Sequence, residues 1–353
     1  MIPSFTKVHN KFKLNNAIFN RNSLRELAYS YVKEGEQYQK QIGDFLLHWL
    51  DDKDYIYVKT SGSTGKPKRI KLQKQAMVNS AIATGNYFNL KPGDNALHCL
   101  PVEFIAGKMM LVRAMILGLE LDVIEPSSNP MASNLKSYDF CAMVPLQLEN
   151  SVDSLDKIKT LIVGGAAISK TLQDRIQESS CKLYATYGMT ETVSHIAVRS
   201  LNDEVLVNNS YNLLPNVSIS KDDRDCLVIN APLLAKETII TNDIVEISSE
   251  TSFKLLGRFD NVINSGGVKL FPEQIEAKLK DYIDKRFFVS SMANSRLGEQ
   301  LIMVIESNTN HIDSTIFANL ETFEKPKQIY NIERFVETDS GKIQRSKTLA
   351  LLK

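Results

Sequence analysis

The sequence predicts an α/β fold whose large N-terminal domain carries mostly parallel, layered sheets. Short apolar runs typical of strands alternate with helix-like runs from about residue 55 to about residue 190. Continuous apolar strands that alternate with helices are typical of parallel sheets covered on both faces. After about residue 200 the pattern changes to short β segments separated by turn residues, and near residue 258 it changes to mixed helices and strands. These changes predict a small β subdomain followed by a small, mobile α+β C-terminal domain.

The elements of the first part follow from the spacing of their apolar residues. Residues 22–50 are predicted to be largely helical, because apolar side chains recur there at helical spacing. The stretch YIYVKT (55–60) is rich in β-branched and aromatic residues and is predicted as a strand. Further strands are predicted at 96–102, 119–126, 140–145, 159–165 and 181–188, with helices at 74–88, 106–117 and 169–179.

The later elements define the second change in pattern. The segments VLVNNS, VSIS, CLVIN, ETIITN and DIVEIS are predicted as short strands of an antiparallel sheet or barrel. PEQIEAKLKDYI is predicted as a helix that begins at Pro272, and it precedes the predicted strands RFFVSS and LIMVIES and a helix near 313–323. The boundary in LLGRFDN (255–261) divides the chain into domains at 1–257 and 258–353, with a hinge between them.

Composition excludes several function classes. Lys and Arg number 42 against 41 for Asp and Glu, so the net charge of +1 gives no support to nucleic-acid or membrane-surface binding. The four cysteines are scattered, and the five histidines lack metal-binding spacing. The N-terminal residues contain no apolar signal core, and no apolar run reaches the roughly 20 residues of a membrane span. We therefore predict a cytoplasmic protein, and a homodimer is left open.

The stretch KTSGSTGKPKR (59–69) has the composition of an anion-binding loop. Glycines let backbone N–H groups converge on an anion, hydroxyls add donors, and lysines add positive charge. It is not the common P-loop, because Gly62 and Gly65 are too close together and Pro67 stands where a magnesium-binding hydroxyl is required. A solvated turn is the alternative when this loop is considered alone.

The loop becomes informative when it is considered together with four other polar segments. They are TYGMTETVSH (186–195), ITND (240–243), LLGRFDNVINSGGVKLFPEQIE (255–276) and SGKIQRSKT (340–348). In this order and together with the loop, they resemble the superfamily of adenylate-forming enzymes, which includes acyl- and aryl-CoA synthetases, peptide-synthetase adenylation domains and firefly-type luciferases. The resemblance extends from about residue 55 to the C-terminus.

The resemblance implies a two-step reaction on ATP. A carboxylate is joined to the α-phosphate of ATP with release of pyrophosphate, and the acyl group then passes to coenzyme A. The site must neutralise charge without hydrolysing the mixed anhydride. The loop would close over the β- and γ-phosphates through Ser61, Gly62, Ser63, Thr64, Gly65, Lys66 and Lys68, with solvent-facing charge as the alternative for one of the two lysines.

The α-phosphate and the magnesium ion are assigned by the same resemblance. Thr190 would contact the α-phosphate, and Glu191 would hold Mg²⁺, since a carboxylate plus phosphates is a normal magnesium environment. An acid at a helix N-terminus is the alternative for Glu191. Lys342 would reach the charge that develops between the carboxylate and the α-phosphate, and its alternative is a solvated lysine of the tail.

The nucleoside is assigned to strand ends and turns. Asp243 would accept hydrogen bonds from both ribose hydroxyls, and Arg258 would be a second ribose or phosphate contact. A turn-capping role is the alternative for Asp243. An aromatic face and close approach of the backbone both suit a planar base, so the implied adenine slot consists of Tyr187, Gly188, Gly164, Gly165 and Ala166.

The second step implies a rotation of the C-terminal domain. Asp260 stands at the position of the hinge aspartate of the superfamily. The rotation would remove Lys342 and bring SGGVK (265–269) to the site, where the glycines would leave room for a pantetheine arm. The residues assigned to this thioester-forming step are Gly266, Gly267 and Lys269.

Within the superfamily, the short segment before the loop and the segments LIVGGAAIS and YGMTETVSH look most like those of o-succinylbenzoate–CoA ligases of menaquinone biosynthesis. The implied substrate is an aromatic keto-diacid, whose second carboxylate needs a cationic or hydrogen-bonding partner. Ser194 and His195 are candidates for that acid pocket, with a packing histidine as the alternative for His195. Phe104 stands where relatives carry a histidine and would form an aromatic wall.

Other positions also depart from the pattern, and other functions stay open. Arg69 and Asn242 replace usual glycines, and Asn261 replaces a usual aspartate. The alternatives are another aryl- or acyl-CoA ligase, an adenylating enzyme that loads a carrier protein, and a non-catalytic nucleotide-binding protein. The presence of Lys342, Glu191 and Asp243 argues against the non-catalytic alternative.

Overall fold

A computed structural model of the chain describes residues 3–59, 69–132, 136–203, 209–308, 314–337 and 343–352. These residues form eight α-helices and twenty β-strands. The helices are α1 (Arg21–Glu34), α2 (Gln37–Trp49), α3 (Lys74–Tyr87), α4 (Ile105–Leu117), α5 (Pro145–Asn150), α6 (Lys170–Arg175), α7 (Pro272–Leu279) and α8 (Arg345–Leu349). The strands of the first half are β1 (Lys13–Leu14), β2 (Ala17–Ile18), β3 (Tyr55–Lys59), β4 (Arg69–Gln73), β5 (Asn95–His98), β6 (Glu120–Val123), β7 (Tyr138–Met143), β8 (Ile158–Val163), β9 (Lys182–Gly188) and β10 (His195–Ser200). The strands of the second half are β11 (Tyr211–Leu213), β12 (Ser218–Lys221), β13 (Cys226–Asn230), β14 (Ile239–Ser249), β15 (Ser252–Arg258), β16 (Ile263–Ser265), β17 (Val268–Leu270), β18 (Phe287–Asn294), β19 (Gly298–Glu306) and β20 (Gln328–Ile332).

A 13-stranded sheet organises the larger part of the chain. Its strand order is β12-β13-β14-β15-β11-β10-β9-β8-β7-β5-β6-β1-β2. From β6 through β9 the neighbouring strands run parallel, which confirms the parallel sheet predicted from the continuous apolar runs. The predicted strand at 96–102 is shorter in the structure, where β5 ends at His98 and Pro101, which lacks a backbone N–H, lies beyond it.

Core clusters cover both faces of the parallel strands. Phe140 and Ala142 of β7 lie in the cluster that includes α1, α2, α3 and α4. Cys141 and Met143 of the same strand lie in the cluster that includes α5 and α6. This alternation follows from the two-residue period of a strand. The predicted helix at 169–179 ends early, and beyond it the N–H groups of Ile176, Gln177 and Ser179 donate to i−3 carbonyls, as in tight turns.

Two strands bracket the loop that the sequence analysis singled out. β3 confirms the predicted strand, and it pairs antiparallel with β4, a strand that was not predicted. Arg69 lies over the Tyr57 ring at 3.8 Å, and Lys71 lies over the Tyr55 ring at 4.0 Å. Residue 69, one of the departures from the superfamily pattern, therefore stacks across the base of the hairpin.

The strands from β9 to β15 run antiparallel, as predicted for the stretch after residue 200. They are not a separate sheet, because β9 pairs with parallel β8 on one edge and with antiparallel β10 on the other. The two strands predicted over 237–248 are one strand, β14, whose pairing with β15 continues through a register shift after Ile244. Part of the predicted strand VLVNNS lies outside the described residues.

The residues after β15 build a 5-stranded sheet with the order β17-β16-β19-β18 and β20 beside β19. α7 confirms the helix predicted at Pro272 and packs its Ile275 and Leu279 against this sheet. The helix predicted near 313–323 is, in its described part, a 3₁₀-helix at Ser314–Asn319. Phe317 and Leu320, three residues apart as that helix requires, contact the same cluster.

A short turn joins the two sheets. The large sheet ends with Arg258, a 3₁₀ turn occupies Phe259–Asn261, and the smaller sheet begins with Ile263. The proposed domain boundary at 257/258 falls in this region. Among the helices that the structure describes, none has the length and apolar character needed to cross a bilayer.

Candidate active site

A buried polar cluster forms where β9, β14 and β15 meet. The hydroxyl of Tyr187 donates to Oδ2 of Asp243 at 2.6 Å, and Nη1 of Arg258 donates to Oδ1 of Asp243 at 2.9 Å. Asp243 and Arg258 are direct cross-strand neighbours in the ladder. The structure therefore brings three of the predicted nucleotide-site residues together.

Burial determines which groups of this cluster donate and which accept hydrogen bonds. The Tyr187 side chain is buried, and burial together with the Asp243 carboxylate raises the pKa of its phenol, so the hydroxyl stays neutral and donates. The Asp243 side chain is only 10% exposed, whereas that of Arg258 is 41% exposed. Each carboxylate oxygen accepts one hydrogen bond here and has a further lone pair, which is the capacity that two adjacent hydroxyls require.

The glycines beside Tyr187 leave the backbone accessible. Gly165 follows β8 with φ +92°, a conformation that favours glycine. A Cβ on Gly164 would lie 2.5 Å from Oγ1 of Thr186, and Ala166 is exposed. The predicted turn at residues 164–166 thus lies next to the strand that carries Tyr187, and its open face suits close approach by a flat ligand.

The turn after β9 is strained. Val193 has φ +67°, a rare conformation for a β-branched residue, and the backbone N–H of Ser194 donates to the Thr192 carbonyl at 2.7 Å across it. The Thr192 hydroxyl, fully buried, accepts from the Met189 N–H at 3.0 Å and fixes the turn. Backbone strain that the surroundings hold in place is common at ligand sites.

Thr190 and Glu191 lie at the outer side of this turn. Thr190 is half-buried and Glu191 is exposed. Within the described part of the chain, Glu191 forms no ion pair. Its two carboxylate oxygens are therefore accessible to a metal ion, so this residue fits the magnesium ligand that was predicted.

A second buried cluster was not predicted in full. Arg113 of α4 is 2% exposed, and its Nη2 donates to Oγ of Ser194 at 2.7 Å. Nη2 also lies 3.4 Å from Nδ1 of His195, and Nε donates to Oγ1 of Thr84 at 3.3 Å. Ser194 and His195 were predicted for the acid pocket, but Arg113 was not.

The charge of this second cluster has no internal counter-ion. No carboxylate of a described residue contacts Arg113, and burial lowers its pKa to about 10, so it stays protonated at neutral pH. Burial and then the charge of Arg113 lower the pKa of His195, which is therefore neutral. A buried cation without a counter-ion is costly unless a ligand supplies one. The cluster can accept an anion.

A cavity lies next to the cluster of Arg113, Ser194 and His195. His195 also lines a cavity of about 180 Å³ between α3 and the residues around β10. Most of its wall is apolar, including Leu214 and Leu234, and Asn79 closes one side by donating to the Leu233 carbonyl at 2.8 Å. A cavity of roughly 150 Å³ accommodates a benzene ring.

Phe104 lies at the start of α4 and is 40% exposed. Lys108 lies one turn further along α4, donates to the Val102 carbonyl, and also donates to the Glu103 carbonyl at 2.8 Å. Burial lowers the pKa of Lys108 to about 8. Phe104 therefore presents an aromatic surface to solvent at this end of α4, a position compatible with the predicted wall.

The predicted thioester-step residues form the turn between β16 and β17. Gly266 and Gly267 have φ of +58° and +86°, and a Cβ on Gly267 would have no atom within 4 Å. Lys269 is exposed on β17. Asp260, the predicted hinge residue, is exposed and accepts from Arg258 at 3.3 Å. The turn thus offers an open backbone edge.

Several predicted residues lie outside the described residues. The structure describes the strands on either side of the loop and the helix after SGKIQ, including Arg345, which donates to Glu276 at 2.8 Å. The residues that it leaves undescribed are Ser61, Gly62, Ser63, Thr64, Gly65, Lys66, Lys68 and Lys342. Their roles stay predictions.

The known proteins to which this chain is similar agree with the resemblance noted in its sequence. The sequence matches the AMP-binding enzyme family over residues 21–225. It is 24% identical over 351 residues to the 2-succinylbenzoate–CoA ligase of Listeria monocytogenes, covering 91% of this chain and 74% of that protein.

Solved structures extend the comparison to the fold. An acyl-CoA synthetase (AMP-forming)/AMP-acid ligase II-like protein from Dyadobacter fermentans is 36% identical, with a TM-score of 0.62 and coverage of 93% of this chain and 98% of that one. The O-succinylbenzoate coenzyme A synthetase of Bacillus subtilis, in complex with ATP and magnesium ion, is 19% identical with a TM-score of 0.74, covering 83% of this chain and 69% of that one. At that identity the likeness is one of fold.

Proposed function

The chain belongs to the AMP-binding enzyme family, and on that premise we propose that it is an ATP-dependent acid–CoA ligase. The proposed acid is o-succinylbenzoate, the acid named in several ligases to which this chain is similar. The enzyme adenylates the acid with release of pyrophosphate and then forms the CoA thioester with release of AMP. ATP and coenzyme A are its co-substrates, and Mg²⁺ is its metal cofactor.

The observation that carries the proposal is the buried Asp243 carboxylate, held between the Tyr187 hydroxyl and the Arg258 guanidinium. A carboxylate held by these two donors is oriented to accept hydrogen bonds from the two hydroxyls of a ribose. The turn at Gly164 and Gly165, next to the strand that carries Tyr187, leaves an accessible backbone beside it for the base.

In the first step, an oxygen of the acid attacks the α-phosphorus of ATP, and the bond from that phosphorus to pyrophosphate breaks. Thr190 contacts the α-phosphate, and Lys342 offsets the charge that develops between the two anions. Glu191 would hold Mg²⁺, which supplies positive charge to the phosphate oxygens when it is bound. The loop at 61–68 covers the departing pyrophosphate.

In the second step, the sulfur of coenzyme A attacks the acyl carbon, and the bond to AMP breaks. The proposal assigns this step to an orientation in which the β16–β17 turn faces the adenylate. Gly266 and Gly267 support it, because they carry no side chains and their positive φ angles form a turn that most other residues adopt only with strain. The swing about Asp260, and with it the division into domains at 257/258, is part of the proposal.

Arg113 supports a diacid as the substrate. Its guanidinium is buried, contacts Ser194 and His195, and has no carboxylate partner among the residues described. A second carboxylate on the substrate would supply the missing counter-charge, and Arg113 with Ser194 would supply its donors. A fatty acid has no such group, so this cluster favours an acid with two carboxylates.

The cavity beside His195 supports an aromatic acid. Its volume of about 180 Å³ is sufficient for one aromatic ring, and its wall is mostly apolar. We place the body of the acid near this space and its far carboxylate at Arg113, with neutral His195 between them. A cytoplasmic location and the lack of a nucleic-acid partner are the remaining parts of the proposal, and the oligomeric state stays open.

Pyrophosphate release tests this function. Purified enzyme is supplied with ATP, Mg²⁺ and o-succinylbenzoate, benzoate or a fatty acid, each with and without coenzyme A. The proposal expects release with o-succinylbenzoate well above that with the other acids, and a thioester product only when coenzyme A is present. If o-succinylbenzoate gives no more release than benzoate, the assignment of the acid is wrong. A product that forms only on a carrier protein would favour the carrier-loading alternative.

A further inference from the structure

Asn242 connects two parts of the molecule through its amide. Its Nδ2 donates to both carboxylate oxygens of Asp260, at 3.3 and 3.2 Å. Its Oδ1 accepts from Nη1 of Arg224 at 2.9 Å. Asn242 belongs to β14 of the large sheet, whereas Asp260 lies in the turn that leads to the smaller sheet. A glycine at position 242 would make neither contact, because it has no side-chain amide.

Arg224 is itself fixed by several partners. Its Nε donates to Oδ2 of Asp222 at 2.9 Å, and its Nη2 donates to the Thr241 carbonyl at 3.1 Å. Its guanidinium also lies 5.0 Å from the centre of the Phe259 ring, next to Asp260 in the chain. Arg224 thus contacts both the large sheet and the connecting turn, and it orients the amide of Asn242.

The same turn is connected to the nucleotide site. Arg258 donates to Asp260 through Nη2 at 3.3 Å and to Asp243 through Nη1 at 2.9 Å. Asp243 in turn accepts from Tyr187 at 2.6 Å. A continuous series of polar contacts therefore leads from Asn242 through Asp260 and Arg258 to the residues proposed to hold the ribose.

We propose that Asn242 and Arg224 clamp Asp260 and thereby set how the segment after residue 258 is oriented in each step of the reaction. Asn242 is a positioning residue, since it acts through Asp260 and Arg258. A ribose bound at Asp243 changes the hydrogen bonds of Arg258. Because Arg258 and Asn242 both donate to Asp260, binding of the nucleotide also changes the contacts of the clamp. This inference rests on the proposed two-step function.

Two measurements on Asn242→Gly test the clamp. Asn230→Gly is the matched control, because Asn230 lies exposed at the end of β13 and its side chain forms, among described residues, one hydrogen bond, to Ser218 at 3.4 Å. Hydrogen–deuterium exchange of residues 258–263 is measured first and needs no catalysis. The clamp predicts faster exchange there in Asn242→Gly, by roughly fivefold or more, and wild-type exchange in Asn230→Gly.

The second measurement separates the two half-reactions. Adenylation is monitored as pyrophosphate release in the absence of coenzyme A. Thioester formation is monitored separately, starting from the preformed acyl-adenylate. The clamp predicts that the ratio of the two rates changes roughly fivefold or more in Asn242→Gly, and that Arg224→Met gives a similar change. The double variant should change the ratio no further than either single variant, because the two residues act on one group.

Several outcomes overturn the inference. Unchanged exchange at 258–263 in Asn242→Gly means that the amide does not hold Asp260. An equal fall in both half-reactions, parallel to a fall in thermal stability, indicates a merely structural residue. A further outcome separates the inference from the proposed function: if no acid supports adenylation but the exchange effect is present, the proposed function fails, whereas the hold of Asn242 on Asp260 is supported.

Discussion

The hydroxyl of Tyr187 donates a 2.6 Å hydrogen bond to Oδ2 of Asp243, although 56 positions separate the two residues in the chain. Pairing of β9 with β10, β10 with β11, β11 with β15 and β15 with β14 brings them together. The sequence predicted both residues for the nucleotide site, at the base and at the ribose, but not that they touch. The contact makes the orientation of Asp243 dependent on Tyr187.

Tyr187→Phe tests this dependence. Loss of the hydroxyl leaves Oδ2 of Asp243 without its buried donor, and a hydrogen bond to a charged group contributes roughly 1.5–3 kcal/mol. We expect the Kd for ATP to rise roughly tenfold, as calorimetry without acid would measure. Tyr211→Phe is the control, because Tyr211 stacks in the same aromatic cluster, 5.9 Å from Tyr187 between ring centres. Equal affinities in wild type and Tyr187→Phe would contradict the role of the contact.

Arg113→Met tests the second carboxylate of the acid. Arg113 has no carboxylate partner among the described residues, so its removal leaves no buried acid unpaired and should not unfold the protein. We expect KM for o-succinylbenzoate to rise roughly tenfold or more, with KM for ATP unchanged. Arg113→Lys retains the charge and should lose less.

The control for Arg113 is the substrate itself. Benzoate derivatives with a single carboxylate have no group for Arg113 to bind, so any residual activity with them should be equal in Arg113→Met and wild type. An equal loss with mono- and dicarboxylic acids would show that Arg113 supports the fold of the site without binding the acid.

The burial of His98 predicts that the protein loses stability as the pH falls. It is fully buried on β5, neither ring nitrogen has a hydrogen-bond partner among the described residues, and burial lowers its pKa to about 4. The unfolded chain, with a pKa near 6.5, therefore binds the proton first as the pH falls. The stability that neutral His98 permits is present above about pH 6.5 and is lost as the pH falls toward 4.

His98→Leu isolates this contribution. Between pH 7 and pH 5 the free energy of unfolding of the wild type should fall by about 2 kcal/mol more than that of His98→Leu, as urea unfolding at the two pH values would measure. His195, whose pKa burial also lowers, adds a fall of the same sign to both proteins, so it cancels in the comparison. Identical pH dependence in the two proteins would mean that His98 finds a partner or becomes solvated.

Gly188→Ala tests the close packing at the end of β9. A Cβ at this position would lie 2.4 Å from the Ser194 carbonyl oxygen and 2.5 Å from the Cα of His195, and both are backbone atoms that cannot rotate away. We expect a loss of about 1–3 kcal/mol in unfolding free energy. Gly164→Ala is the comparison, because its Cβ would meet the Thr186 hydroxyl, which can rotate, so its loss should be smaller. Wild-type stability in Gly188→Ala would contradict the packing.

The parallel part of the fold was accessible from sequence because its strands are buried on both faces. β7 and β8 are continuous apolar runs, and no turn residue interrupts them. β14 was divided in two because Thr241, Asn242 and Asp243 read as turn residues. The ladder with β15 continues through them with a register shift, and local propensity does not report that pairing.

Arg113 was missed for a similar reason. It is a cation within the apolar helix IAGKMMLVRAMIL, and such a residue is a sequence signal of a buried charge. Its partner Ser194 lies 81 positions away, so only the tertiary structure shows that the two share a cluster. The sequence analysis found Asp243 and Tyr187 because both are polar residues at predicted strand ends, where ligands of α/β sheets bind, and both belong to motifs that stand in the order of a known superfamily. Arg224 belongs to no such motif.

Acid-dependent exchange of pyrophosphate into ATP, in wild type and Lys342→Ala, tests the central claim most directly. The account predicts exchange only when o-succinylbenzoate is present, a fall of roughly 100-fold or more in Lys342→Ala, and ATP binding that this substitution leaves within about threefold of wild type. Exchange that is absent with every acid, or that is undiminished in Lys342→Ala, would contradict the claim that these separated polar residues join a carboxylate to the α-phosphate of ATP.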